Sequence, residues 1–329
     1  MKQKFNIGSL YAGIGGICLG FKNAGFEIGW ANEFDKNACI TYRSNFKHNL
    51  IEGDIMDINI SDLNKIDILA GGFPCQPFSV AGYRKGFDDS RGNHFFRMLD
   101  FVDELRPKVL FFENVKNLVG HDKGNTFKII KNEIETRNYS FHSKVLNTKD
   151  YGNIPHNRER IFMVAFDKNI YSNPEELFRF PEKETLTNKI NSVIIKDEVE
   201  DVFYYGENKK MYVTLQDAIT RTDTIYQYRR HYVRENKSNV CPTLTANMGT
   251  GGHNVPLIKT EYGIRKLTPR ECFRLQGFPD NYIFPKISNS HLYKQSGNAV
   301  SVPVIEKIAK NILIVMNGGK CNDNKPSLF

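Results

Sequence analysis

The 329-residue chain is 40% hydrophobic and 25% charged, the balance of a soluble globular protein and not of a disordered one. No stretch approaches the ~18 consecutive apolar residues of a membrane span, and the glycine-broken N-terminus does not read as a secretory signal. The net charge of +8 (45 basic against 37 acidic residues) is what solubility alone would allow, and more sharply it suggests a polyanionic partner.

In chain order, KFNIGSLYAG (4–13) reads as a strand entering a glycine turn, and GICLGFKNAG (16–25) as a helix. FEIGWANE (26–33) is a second strand ending in an acid, and EGDI (52–55) follows another. Further strands are expected at 67–72, 108–114 and 160–166. Between them, 93–105 sets Phe95, Phe96, Leu99 and Val102 on one helical face, and 125–137 does so with Phe127, Ile130 and Ile134. The alternation predicts a doubly wound α/β sheet with ligands at the carboxyl ends of its strands. From about 168 to 262 the rhythm fades, and 226–266 holds seven Lys/Arg against two acids, which predicts a smaller inserted module. The expected divisions are therefore 1–167, 168–262 and 263–329. In the last, 301–316 places Val304, Ile305, Ile308, Ile312 and Val315 at helical spacing, packing back on the first domain.

Several motifs carry chemistry. LYAGIGG (10–16) lets backbone N–H groups approach a ligand at a helix start, but its GxGG spacing is not that of a dinucleotide turn, and a plain tight turn is the alternative. Glu33 and Asp54, at consecutive strand ends, suit an adenosyl cofactor, though either alone would be an ordinary turn acid. In GGFPCQPFSVAG (71–82), Pro74 and Pro77 stiffen the backbone around Cys75, a candidate nucleophile against the alternative of a small buried hydrophobe. The six cysteines are scattered, without CxxC or a His/Cys cluster, so neither a disulfide framework nor a metal site is expected, and a reducing cytosol is. Glu113, ending an apolar strand, should hold a proton more tightly than usual. Arg158 and Arg160 alternate with Glu159, which on one strand would turn both guanidiniums to one side; surface ion pairs are the alternative.

Taken together and in order, these stretches resemble the DNA (cytosine-5) methyltransferases, and closely the single-chain bacterial modification enzymes. GFPCQPFS, ENVKN, RERIF, RKLTPRECFRLQGFPD (265–280) and QSGNAVSVPV (295–304) match five family motifs over nearly the whole chain. Ser9 and Tyr11 stand where Asp and Phe are usual, and His156-Asn157 where Gln-Lys or Gln-Arg is frequent. The resemblance implies a Rossmann-like methyltransferase sheet with an inserted target-recognition domain, and S-adenosylmethionine as donor. Tyr11, Gly13, Gly15, Gly16, Glu33, Phe34, Asp54, Ile55, Gly72, Pro74, Asn298 and Val300 would form the cofactor pocket.

By the same resemblance Cys75 would add to C6 of a flipped cytosine, Glu113 would hold N3, and Arg160 would orient both Glu113 and the base, with Arg158 nearby. Gln76, Ser79 and Arg91 in a lid, and Arg229, Arg230, Arg234, Thr243, Leu244, Gly251 and Gly252 in the module, would contact double-stranded DNA, a solvated face being the alternative for the basic run. The expected protein is a monomeric modification enzyme of a restriction–modification system. A tRNA cytosine-5 methyltransferase, a sequence-binding relative without catalysis and, more distantly, a nicotinamide dehydrogenase are the other readings.

Overall fold

The structure, a computed structural model, describes residues 4–74, 93–209, 211–229, 232–249 and 255–321. By packing, the chain falls into two compact units: Met1–Leu146, Glu159–Glu182 and Val304–Phe329 in the first, Asn147–Arg158 and Lys183–Pro303 in the second. The stretches 147–158 and 263–303, expected with the sheet domain, group with the second unit, and 168–182, expected in the inserted module, groups with the first.

The first unit is built on a seven-stranded sheet. Its strands are β1 (Asn6–Leu10), β2 (Glu27–Glu33), β3 (Asn49–Glu52), β4 (Ile68–Gly71), β5 (Val109–Val115), β6 (His142–Asn147) and β8 (Glu159–Phe166). They lie in the order β3-β2-β1-β4-β5-β8-β6. The first five run parallel, and β8 is antiparallel to β5. The order reverses between β1 and β4, and the crevice outside their carboxyl ends is where open α/β sheets bind ligands. Helices α1 (Gly16–Asn23), α2 (Lys36–Asn45), α3 (Asn93–Leu105) and α4 (Asn125–Glu135) connect the strands. On α3, Phe95, Phe96, Leu99 and Val102 are all buried, and so are Ile130 and Ile134 on α4, as their spacing predicts.

The second unit contains a short parallel pair, β7 (His156–Asn157) with β11 (Cys241–Pro242), and a four-stranded sheet in the order β10-β9-β12-β13. That sheet is formed by β9 (Tyr226–Arg229), β10 (Tyr232–Glu235), β12 (Leu257–Thr260) and β13 (Gly263–Lys266). Helices α5 (Pro269–Arg274) and α6 (Asn289–Asn298) follow. Thr268 and Glu271 form a capping box on α5, and the wholly buried Glu271 also pairs with Arg265 at 2.7 Å. The last helix, α7 (Val302–Met316), belongs from Val304 onward to the first unit and buries Val304, Ile305, Ile308, Ile312 and Val315, each burial contributing about 1.5–3 kcal/mol before entropy is counted.

Candidate active site

At the carboxyl end of β1 the chain turns sharply. Tyr11, Gly13 and Gly15 have φ of 52°, 57° and 82°. The left-handed region is free for the glycines but costs a tyrosine about 1–2 kcal/mol, and such strain often marks a site. Tyr11 is held by its hydroxyl, 2.9 Å from His94 Nδ1. A Cβ on Gly15 would lie 2.3 Å from the Phe46 ring, so only glycine lets the turn pack there. Gly16 opens α1. Glu33, buried at the end of β2, gathers the turn: one oxygen accepts from Gly13 N (2.7 Å), the other from Phe34 N (3.0 Å) and Asp35 N (2.8 Å). Desolvation raises its pKa and these three N–H groups oppose the rise. Phe34 beside it is 67% exposed. Past β3, Asp54 accepts from Met56 N, and Ile55 is buried. Tyr11, Gly13, Gly15, Gly16, Glu33, Phe34, Asp54, Ile55, Gly72 and Pro74 thus all sit at the carboxyl ends of β1–β4, on one unit.

Glu113, on β5, is nearly buried, and Arg160 Nε on β8 lies 3.1 Å from its Oε1. Gly72, at the end of β4, is so close that a Cβ would stand 3.2 Å from Glu113 Oε2. The next residue of β5, Asn114, donates to the carbonyl of Phe73 at 2.9 Å. This ties the Glu113 strand to the backbone two residues before Cys75. Arg158 belongs to the second unit. The strand reading fails because β8 begins at Glu159, and the chain passes from one unit to the other between 158 and 159. The Arg158 guanidinium instead donates to the carbonyls of Leu244, Gly297 and Ala299, at 3.1, 3.1 and 2.6 Å.

On the second unit, the β9–β10 register puts Tyr226, Tyr228, Val233 and Glu235 on one face and Gln227, Arg229, Tyr232 and Arg234 on the other. Arg229, Tyr232 and Arg234 are exposed, and among the described residues neither arginine meets a carboxylate. Thr243 is exposed and Leu244 buried; Asn298 is exposed and Val300 buried. Cys75, Gln76, Ser79, Arg91, Arg230, Gly251 and Gly252 lie outside the described residues. Of the other cysteines, Cys18, Cys39, Cys241, Cys272 and Cys321 are free and buried. Burial pushes the thiols of Cys18 and Cys39 up to about 11 and about 12, and raises the other three as well.

The family description "C-5 cytosine-specific DNA methylase" matches residues 5–313. The chain belongs to the C-5 cytosine-specific DNA methylases. It is a DNA cytosine-5 methyltransferase, 58% identical over 312 residues to the type II methyltransferase M.Bsp6I of Bacillus sp. (strain RFL6), covering 93% of this chain and 98% of that one. It is 40% identical over 321 residues to the type II methyltransferase M.HhaI of Haemophilus parahaemolyticus, covering 92% of each. In fold it is similar to the Dnmt2 methyltransferase of S. pombe (TM-score 0.72, 16% identity, 95% and 99% covered). A putative DNA modification methyltransferase from an E. coli prophage is also similar (TM-score 0.68, 23% identity, 95% and 100% covered).

In this methylase, sequence reasoning missed Asn114, His94 and Asn32. Asn32 Nδ2 donates to the carbonyls of Ile51 and Gly53, joining the ends of β2 and β3. A polar residue within an apolar strand was the available signal for Asn32 and Asn114; nothing marked His94. Among the described residues, no group of three or more His, Cys, Asp or Glu side chains could hold a metal, and no helix is long and apolar enough to cross a membrane.

Proposed function

We propose that this methylase transfers a methyl group from S-adenosylmethionine to C5 of a cytosine flipped from a short duplex site, as the modification half of a restriction–modification system. It would act as a monomer on DNA in the bacterial cytoplasm, with the part of 168–262 that lies in the second unit, 183–262, reading the target. The strand ends fit an adenosyl donor. Glu33 has lone pairs beyond the three N–H groups it accepts, about four sites in all. Phe34 offers an exposed ring, and a Cβ at Gly13 would meet nothing within 4 Å. Bound there, the donor supplies an electrophilic sulfonium methyl.

The observation that carries the chemistry is the nearly buried Glu113–Arg160 pair, tied through Asn114 to the Phe73 carbonyl just before Pro74-Cys75, with the bare Gly72 leaving room beside Glu113 Oε2. Five of six thiols are buried with raised pKa, which leaves Cys75 as the nucleophile. Its thiolate adds to C6, and Glu113, with one oxygen fixed by Arg160, keeps a proton at N3 as negative charge enters the ring. C5 becomes an enamine carbon and bonds to the methyl group as the methyl–sulfur bond breaks, its electron pair leaving with the sulfur of S-adenosylhomocysteine. A water then removes the C5 proton, the C5–C6 double bond reforms, and the Cys75 thiolate leaves. Incubation with duplex carrying 5-fluorocytosine blocks that last step and should trap a covalent adduct in the presence of S-adenosylmethionine. No adduct, or an adduct that survives Cys75→Ser, refutes the mechanism; methylation confined to tRNA refutes the substrate.

A further inference from the structure

Three consecutive residues, His156, Asn157 and Arg158, hold four consecutive residues, Cys241–Leu244, within the second unit. Cys241 and Pro242 pair in parallel with His156 and Asn157. Thr243 Oγ1 donates to the Asn157 carbonyl at 2.6 Å. Leu244 is held at both backbone groups: its N–H donates to His156 Nε2 at 3.2 Å, and its carbonyl accepts from Arg158 Nη1 at 3.1 Å. The His156 ring is wholly buried, and its Nδ1 lies 2.9 Å from the Leu275 carbonyl. A carbonyl can only accept and an amide N–H can only donate, so the ring is fixed as the Nδ1–H tautomer. Arg158 reaches onward to Gly297 and Ala299. The Leu244 side chain is buried while Thr243 and Thr245 on either side are exposed.

We propose that His156 and Arg158 are positioning residues for target recognition, fixing the Leu244 peptide so that Thr243 and Thr245 face DNA in one orientation. This rests on the DNA-methylating function proposed above. A pinned peptide with outward hydroxyls on both sides suits recognition, because a donor or acceptor discriminates between partners only when it cannot move to follow the wrong one.

The test uses the full chain, S-adenosylmethionine for turnover, S-adenosylhomocysteine as a donor analogue for binding, and duplex bearing the mapped methylation site or that site with one base pair changed. His156→Leu removes the acceptor and strands a buried N–H. It should raise KM for the site about tenfold and narrow discrimination against the altered site, while kcat and analogue binding stay within about threefold. His156→Gln supplies one acceptor and one donor and should recover most of the loss. A folded His156→Leu protein with full discrimination, or a His156→Gln protein as defective as His156→Leu, overturns the proposal. Amide exchange in the wild-type protein tests the geometry without any variant: Leu244 N–H should be protected, and fast exchange there also overturns it. If instead the methylating function is wrong, the wild-type protein itself will not modify duplex DNA, which is a different outcome.

Discussion

Gly297→Ala sets two known effects against each other. Gly297 is the ninth residue of α6, where alanine should stabilise the helix by up to about 1 kcal/mol. A Cβ there, however, would lie 2.3 Å from both C and O of Thr245 and 2.5 Å from Ala246 N, where ordinary contact begins at 3.4 Å. Backbone must therefore retreat by about 1 Å in a packed interior. Neither side yields easily. Leu244 is gripped by His156 and Arg158, while Gln276 Nε2 donates to the Ser296 carbonyl next to Gly297. Overpacking costs about 1–3 kcal/mol, and a clash of backbone against Cβ belongs at the upper end. The steric cost wins, leaving a net destabilisation of about 2 kcal/mol. In urea titration the midpoint should fall by about 0.7 M if m is about 3 kcal/mol per M. KM for duplex should rise as the Thr245 backbone shifts. A variant as stable as the parent would refute this account of the close approach.

Tyr11→Phe removes the hydroxyl bond to His94, a net loss of about 0.5–1.5 kcal/mol of stability, so the urea midpoint should fall by about 0.2–0.5 M at an m of about 3 kcal/mol per M. An unchanged midpoint would show that the bond does not hold Tyr11 in its strained turn. Arg234→Ala, on the exposed face of β10, should lower the slope of log affinity against log salt by about 1 on cognate and unrelated duplex alike. An unchanged slope would remove Arg234 from the phosphate contacts. His48, hydrogen-bonded to Tyr42, has its pKa lowered to about 4, first by burial and then by Lys22. Between pH 6.5 and 4 the unfolded chain therefore binds more protons than the folded one, and stability drains away as pH falls. His48→Gln should shrink the Tm difference between pH 7 and pH 5, and an undiminished difference would assign that loss to other groups.

What the sequence made legible follows from where apolar density lies. β1, β2, β4, β5 and β8, like α3, α4 and α7, bury continuous runs or clear helical stripes, so pattern alone located them within a few residues. β6 (HSKVLN) is an edge strand and only half buried, and α2 (KNACITYRSN) buries just Ala38, Cys39, Thr41 and Tyr42. In both, few apolar residues announce the element, and tertiary packing decides it. The arginine pair shows the other limit. Alternation places two side chains on one face only while both residues stay on one strand, and here the chain leaves the second unit at Arg158 and enters the sheet at Glu159. The same spacing thus sends Arg160 to a carboxylate on β5 and Arg158 to three backbone carbonyls far along the sequence. A guanidinium suits either task, since its five fixed donors can serve one carboxylate or several scattered carbonyls. Only the fold decides between the two uses.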